Sequence, residues 1–252
     1  MRPSSSIIKS YAREIMLGHY GSAITALLLL ELITALPSML FIYAGVSSPA
    51  IAIASTIIIA LLSVVLRVGY HYLFLQTARN RDFVVSDIFF SFNNHPDTVI
   101  LLTLVMAAIG LAASIPFVCV AYYLTGSLPI TYSMSAGVLE IIVPVSLTSS
   151  AFLAWCIDIL LWAVVLLLII LYSIPAFLIY LDHTAWSVKE ILQEYLRLMH
   201  GNKLRYLWLQ ISFIGFGLLN ILSLGIGALW SLPYYNTSLA LFYLDLVTEE
   251  KA

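Results

Sequence analysis

The sequence predicts an all-α fold, a polytopic transmembrane helical bundle, and three observations lead to this class. Of the 252 residues, 62% are hydrophobic and only 10% are charged, whereas soluble domains carry about 25% charged residues. Apolar runs of the length that a membrane-spanning helix needs recur along the chain. Amphipathic segments and polar turns separate these runs. Together these features predict a single integral membrane domain, residues 1–252.

The first 200 residues predict four spans and three amphipathic helices. The amphipathic helices are predicted at residues 3–18, 77–97 and 184–200, where apolar side chains recur among charged ones and the helix lies in the membrane interface. The spans are predicted at residues 22–43, 50–76, 98–124 and 151–180. Residues 125–150 carry Pro129, Pro144 and a single charge, which predicts an irregular apolar loop or a shallow re-entrant segment.

The last pair of spans follows a polar turn at residues 199–205. After Arg205 no charged residue occurs before Asp245. At ~1.5 Å per residue, one helix of that length would be about twice the ~30 Å thickness of a hydrocarbon core. The run is therefore predicted to cross twice, with a fold-back at residues 223–227. The bundle then has six spans as three hairpins, each preceded by an amphipathic interfacial helix. A five-span alternative leaves residues 233–252 outside.

The distribution of basic residues predicts the orientation of the chain. Of the 11 Lys and Arg residues, all but Arg67 fall on one side of the six-span topology, and the loops on the other side contain none. Loops rich in Lys and Arg face the cytoplasm. The chain is therefore predicted to be a multi-pass protein of the cell membrane with both termini in the cytoplasm.

A weak threefold regularity predicts three repeat units, residues 3–76, 82–180 and 184–248. Each unit starts with an amphipathic segment that begins near a serine and ends in a turn with a histidine. These residues are Ser6, Ser86 and Ser187, and His19, His95 and His200. The alternative interpretation needs no duplication, because interfacial turns favour polar residues and membrane helices tolerate proline.

Glu31 and Arg67 are the candidate polar pair within the membrane. Each lies about ten residues from the cytoplasmic end of its predicted span, so both are ~15 Å deep and can meet near the midplane. A charge at that depth costs several kcal/mol unless it pairs or faces a polar cavity. The structural interpretation is an ion pair that locks the first hairpin. The functional interpretation is a site for a substrate or a proton.

Asp158 is a second candidate polar site, because it lies in the outer third of the fourth span without an evident basic partner. No catalytic residue is predicted, since the sequence contains no G-x-S-x-G or H-E-x-x-H motif. No metal and no cofactor is predicted either, because the histidine-containing turns lack metal-ligand spacing. The net charge of -2 and the lack of a basic stripe argue against nucleic acid as a partner.

Several short motifs resemble one known family. They are Met199-His200-Gly201-Asn202-Lys203, Gly225-Ile226-Gly227, Arg67-Val68-Gly69 and Phe89-Phe90-Ser91-Phe92. The chain resembles an uncharacterised bacterial integral membrane family, number nine hundred and seventy-five in the domain-of-unknown-function series. Phe216 departs from the family pattern, which often has Trp there. The resemblance implies a multi-spanning cell-membrane protein of Gram-positive-type bacteria, and it implies no activity, substrate or catalytic residue.

Two functional hypotheses follow. The first is a non-enzymatic accessory or partner-binding membrane component, whose partners are the lipid bilayer and other membrane proteins. The alternative is a small transporter or lipid-handling protein with its polar site near Glu31 and Arg67. A continuous cavity that reaches Glu31 or Asp158 would favour the alternative hypothesis.

Overall fold

A computed structural model of the chain describes residues 4–43, 49–125, 131–135, 138–142 and 149–250. Within these ranges the α-helices are α1 (Ser5–Met16), α2 (Tyr20–Tyr43), α3 (Pro49–Ala78), α4 (Phe90–Asn93), α5 (Pro96–Thr125), α6 (Ser149–Asp182), α7 (Val188–Met199), α8 (Lys203–Ile211), α9 (Ile214–Leu222) and α10 (Ala228–Glu250). A 3₁₀ turn covers Val85–Phe89. Two antiparallel strands, β1 (Thr131–Ser135) and β2 (Val138–Ile142), pair with Thr131 opposite Ile142.

The helical fold class and the multi-pass character of the chain are confirmed. Among the described residues, 5 helical stretches are long and apolar enough to cross a membrane. They are Tyr20–Leu40, Ile53–Ala78, Pro96–Tyr123, Phe152–Asp182 and Lys203–Leu222. These stretches correspond to the first five predicted spans. Helix α10, the predicted sixth span, is not among them.

Contacts divide the chain into two compact units with very different charge. The first unit comprises Met1–Ala35, Ala60–Leu101 and Ile174–Ala252, and the second comprises Leu36–Ile59 and Leu102–Ser173. All 11 Lys and Arg residues belong to the first unit. The second unit contains no Lys, Arg or His, and its charged residues are Glu140 and Asp158. Ion pairs can therefore form within the first unit but not within the second.

Helix α10 is enclosed by the first unit. The consecutive residues from Asn236 to Ala240 are all buried, and this run exceeds one helical turn of ~3.6 residues, so the middle of the helix is covered on every side. Thr237 and Ser238 donate their hydroxyl hydrogens to backbone carbonyls of the same helix at 2.9 Å, so both buried donors are paired. A helix covered by protein does not need the apolar surface that lipid requires. This explains why hydropathy alone does not identify α10.

Helix α10 runs antiparallel to the α8–α9 segment. Near the start of α8, Arg205 is paired with Asp245 near the end of α10. Farther along, Gln210 accepts a hydrogen bond of 2.7 Å from the Tyr235 hydroxyl. Beyond this, Asn220 in α9 accepts a hydrogen bond of 2.9 Å from the Ser231 hydroxyl. The order of these contacts shows that α10 returns toward the end from which α8 starts.

Helices α1 and α7 are the amphipathic helices predicted at residues 3–18 and 184–200. Each buries one apolar stripe within the first unit, and α1 packs on α10 and α8. The buried residues are Ile8, Ala12 and Met16 in α1, and Ile191, Leu198 and Met199 in α7. The N-terminus of α7 has a capping box, in which Ser187 accepts from the Glu190 N–H and donates its own backbone N–H to the Glu190 carboxylate. Hydrogen bonds from the Ser187 hydroxyl and backbone lower the pKa of Glu190.

The first and third predicted repeat units share a backbone pattern. Helices α1 and α7 each have 12 residues and follow an N-cap serine in extended conformation, Ser4 and Ser187. Each helix leads into a glycine with positive φ, 94° at Gly18 and 79° at Gly201. In the same register, the following pairs are buried in both units: Ile8 and Ile191, Met16 and Met199, Ala23 and Tyr206, Ala26 and Leu209, Leu27 and Gln210. The pattern supports a duplication, and the boundaries of the repeats stay a prediction.

The prediction of an amphipathic helix at residues 77–97 is wrong in its form. The segment consists of the end of α3, a turn, the 3₁₀ turn and the single-turn helix α4. The backbone of the 3₁₀ turn packs directly on α3, because Gly69 has no Cβ and the carbonyl of Ile88 occupies that position. Stacking of Tyr72 on Phe90, with ring centroids 3.8 Å apart, holds the segment against the same helix. The contacts with α3 therefore favour this irregular backbone over a continuous amphipathic helix at residues 77–97.

One other prediction needs correction, and the predicted fifth span is confirmed with a change in its form. Strands β1 and β2 lie within residues 125–150, where an irregular loop or a re-entrant segment was expected, and residues 126–130, 136–137 and 143–148 lie outside the described ranges. The predicted fifth span is broken into α8 and α9 at Ser212 and Phe213. Phe213 is buried and its ring contacts Tyr234 and Tyr235 of α10. This aromatic cluster accompanies the break in the helix.

Candidate functional site

Glu31 on α2 and Arg67 on α3 are in contact within the first unit. Arg67 Nη2 lies 3.4 Å from Glu31 Oε1. Glu31 follows the start of its span at Tyr20, and Arg67 precedes the end of its span at Ala78, by about eleven residues each. Both side chains are therefore ~16 Å deep, about half of a ~30 Å hydrocarbon core. The structure brings together the two residues that the sequence places at equal depth.

The ion pair is long and open. Charge-assisted N–H···O bonds are usually ~2.7–2.9 Å, so a separation of 3.4 Å between the two side chains makes this a weak pair. The side chains of Glu31 and Arg67 are 51% and 59% exposed. On the same surface of α2, Leu28 and Leu32 are also exposed. Both charges can therefore accept or donate further hydrogen bonds at a depth where lipid provides none.

The Lys and Arg residues other than Arg67 lie near one end of the helices, which we call the basic end. Further polar groups lie between the Glu31–Arg67 pair and this end. His71, one turn after Arg67, has the polar side chain of Asn236 of α10 as a close neighbour. Tyr70 lies between Arg67 and His71 on α3, and its buried hydroxyl has no hydrogen-bond partner among the described residues. An unpaired buried donor costs about 1–3 kcal/mol. We name Glu31, Arg67, Tyr70, His71 and Asn236 the polar cluster.

Two further ion pairs lie at the basic end of the first unit. Asp182, at the end of α6, pairs with Arg79 and also accepts a hydrogen bond of 2.8 Å from the Tyr243 hydroxyl. Asp245 of α10 pairs with Arg205, whose guanidinium lies 5.1 Å from the ring centroid of Phe242. All four charged side chains are at most 27% exposed. These contacts join α3, α6, α8 and α10 at one end.

Neither of these pairs was expected from the sequence. Each pair consists of an arginine and an aspartate at the ends of helices that are distant along the chain, Arg79 with Asp182 and Arg205 with Asp245. The available signal is that each aspartate is the first charged residue after a long apolar run. The contacts between these partly buried, oppositely charged side chains indicate that both pairs stabilise the fold.

Asp158 belongs to α6 in the second unit and is only 8% exposed. Trp155, one turn earlier, has a buried indole N–H without a hydrogen-bond partner in the described part of the chain. Trp162, one turn later, donates its indole N–H to the Ser114 hydroxyl of α5 at 2.9 Å. The structure thus places Asp158 on an aromatic face of α6, within a unit that provides no basic side chain.

The three histidines of the predicted turns do not occupy equivalent positions. His19 follows the positive-φ residue Gly18, His95 itself has a φ of 52°, and His200 precedes Gly201. In the described ranges, no group of three or more His, Cys, Asp or Glu residues is arranged to hold a metal ion. Cys119 and Cys156 are exposed and unpaired.

One family model matches nearly the whole chain. Its description is "Protein of unknown function (DUF975)", and the match covers residues 1–250. No curated protein and no solved structure matches the chain. The matched range includes the polar cluster, both pairs at the basic end and Asp158.

Proposed function

Because the chain belongs to the DUF975 family, whose function is unknown, we propose a function from the geometry of the polar cluster. The protein is a non-enzymatic, multi-pass component of the bacterial cell membrane that binds another membrane protein within the bilayer. The bound element is a spanning helix with a polar side chain that meets Glu31 and Arg67. The observation that carries the proposal is the exposure of this ion pair at half the depth of the membrane.

The energetics of the open pair support a protein partner. A charged side chain at the centre of a spanning helix costs about 3 kcal/mol, and a 3.4 Å pair that is half-exposed offsets only part of this cost. An Asn, Gln, Ser or Thr side chain on a partner helix can accept from Arg67 and donate to Glu31, and such bonds contribute about 1 kcal/mol each in membranes. The same helix would cover the exposed side chains of Leu28 and Leu32.

The proposal includes six spans with both termini in the cytoplasm. The antiparallel contacts between α10 and the α8–α9 segment support a sixth crossing, because they return the chain to the basic end. The concentration of Lys and Arg at that end supports its placement in the cytoplasm. Because other parts of the first unit cover α10, this helix can cross the membrane without an apolar surface of its own.

A small transporter or lipid-handling protein is the second candidate, and Tyr70 favours it. Its buried hydroxyl, without a partner among the described residues, can bind a polar group of a small molecule or a lipid headgroup. His71 and Asn236 extend this polar region toward the basic end. In this alternative the open ion pair binds the ligand directly and no partner helix covers it.

Photo-crosslinking in native membranes tests the proposal. A benzophenone amino acid placed at Leu32, beside Glu31, is expected to form an adduct with a protein. The matched control is Ile214 of α9, which is similarly exposed and lies at a similar distance from the start of its span, and there we expect lipid adducts only. In the Glu31→Leu/Arg67→Leu double variant the protein adduct should disappear while the chain remains monodisperse in detergent.

The outcome separates the two candidates. A protein adduct at Leu32 that depends on Glu31 and Arg67 supports partner binding, whether the partner is a second copy or another protein. Lipid adducts alone at Leu32, as at Ile214, would contradict it. Loss of a co-purifying lipid or small molecule in the Tyr70→Phe variant, measured by native mass spectrometry, would then support the second candidate.

A further inference from the structure

We propose that Asp158 and the aromatic side chains around it form a binding site for a lipophilic organic monocation, such as a quaternary ammonium or phosphonium ion. The site lies in the second unit and is independent of the partner surface at Glu31 and Arg67. Its three elements are a buried carboxylate without a basic partner in its unit, an aromatic face on the same helix, and an indole N–H that has no partner among the described residues.

The second unit contains no basic side chain that could neutralise Asp158. The side chain of Asp158 is 8% exposed. A buried carboxylate in an apolar span is costly in its ionised form unless a counter-charge is present. The counter-charge must therefore be a proton or a cation that comes from outside the unit.

The aromatic side chains around Asp158 suit an organic cation. Trp155 and Trp162 lie three residues before and four residues after Asp158, so all three share one face of α6. Phe152 extends this face, with its ring centroid 6.3 Å from that of Trp155. Cations bind to the faces of aromatic rings, and Trp is the strongest of these. The aromatic face therefore contributes affinity for the cation in addition to the carboxylate.

The indole of Trp155 provides a second observation that points to a ligand. Its N–H is buried and has no hydrogen-bond partner in the described ranges, whereas the N–H of Trp162 is paired with Ser114 at 2.9 Å. Buried donors are paired in most proteins. An ether, hydroxyl or carbonyl oxygen on the bound molecule, one turn from the carboxylate, would satisfy the Trp155 N–H.

A metal ion fits this face poorly. Calcium needs six to eight oxygen ligands and magnesium needs an octahedral set, whereas this face of α6 offers one carboxylate and two indoles. Leu153, Ile157 and Leu161 on neighbouring faces of the same helix are exposed, and this apolar surface suits the lipophilic part of an organic cation. When it binds, a protonated Asp158 releases its proton to water and the carboxylate becomes the counter-ion of the cation.

Binding of tetraphenylphosphonium to the purified full-length chain in detergent tests the site. We expect saturable quenching of tryptophan fluorescence with proton release in weak buffer. Asp158→Asn should lower the affinity at least tenfold and abolish proton release. Trp155→Phe should lower the affinity several-fold. The control variant Asp97→Asn alters a carboxylate that is 81% exposed and should bind like the wild type.

Asp158→Glu keeps the charge and should retain binding within a few-fold, which separates loss of the carboxylate from loss of the fold. The proposal is overturned if Asp158→Asn binds as tightly as the wild type. It is equally overturned if monodisperse wild-type protein shows no saturable quenching. If Asp158→Asn does not fold, two other results together overturn the proposal. They are a Trp155→Phe variant that binds as tightly as the wild type, and a wild type that releases no proton on binding.

Discussion

Replacement of Gly69 by alanine is expected to abolish most of the correctly folded protein. A Cβ atom at this position would lie 1.8 Å from the carbonyl oxygen of Ile88 and 2.6 Å from its carbonyl carbon. Both are backbone atoms, so no side-chain rotation can relieve the contact. The 3₁₀ turn must then separate from α3, and we expect a loss of about 3 kcal/mol, at the upper end of overpacking effects.

The yield of monodisperse protein and the midpoint of thermal unfolding in detergent measure this effect. Gly217→Ala in α9 is the matched control, because an added Cβ there meets no atom within 4 Å. Alanine is preferred over glycine in a helix by about 1 kcal/mol, so the control should be neutral or slightly stabilised. Equal unfolding midpoints for Gly69→Ala and the wild type would show that the turn does not pack on α3 in this way.

Asp182→Ala is expected to have the second largest effect. The substitution removes the acceptor for both Arg79 and the Tyr243 hydroxyl, which approach Asp182 from α3 and α10. The Arg79 side chain is only 27% exposed, so its charge remains partly buried without its carboxylate partner. Removing one member of a buried pair costs about 3–5 kcal/mol. We expect about 3 kcal/mol here, because the pair retains some contact with solvent.

A comparison of variants distinguishes the ion pair from general packing. The triple variant Arg79→Met/Asp182→Leu/Tyr243→Phe removes all three polar groups together and should recover most of the stability lost in Asp182→Ala, since no charge is left unpaired. Glu14→Ala alters an exposed acid of α1 and should leave the midpoint of thermal unfolding within about 0.5 kcal/mol of wild type. A triple variant less stable than Asp182→Ala would contradict the proposed role.

Features that depend on apolar length and helical depth could be predicted from the sequence. The long apolar runs predict α2, α3, α5 and α6 to within a few residues, because lipid requires continuous apolar surface. Helical rise alone places Glu31 and Arg67 at one depth, and they are in contact. The apolar spacing of α7 likewise predicts the stripe that includes Ile191 and Leu198.

Features that depend on which helices meet could not be predicted. The form of residues 77–97 depends on the close approach of Ile88 to Gly69, and a single glycine in a span does not reveal its neighbour. The pairing of Arg205 with Asp245 depends on the return of α10. The sequence does not distinguish Tyr70 from other tyrosines. Only the structure shows that its hydroxyl is buried and has no hydrogen-bond partner among the described residues.

Labelling of single cysteines in intact cells tests the six-span topology most directly. In a background with Cys119 and Cys156 replaced by alanine, Leu224→Cys is placed in the α9–α10 turn, where the side chain is 94% exposed, and Thr248→Cys near the end of α10 is also exposed. We predict that a membrane-impermeant maleimide labels Leu224→Cys in intact cells and labels Thr248→Cys only after permeabilisation. Labelling of Thr248→Cys in intact cells would contradict the return of α10 to the cytoplasm.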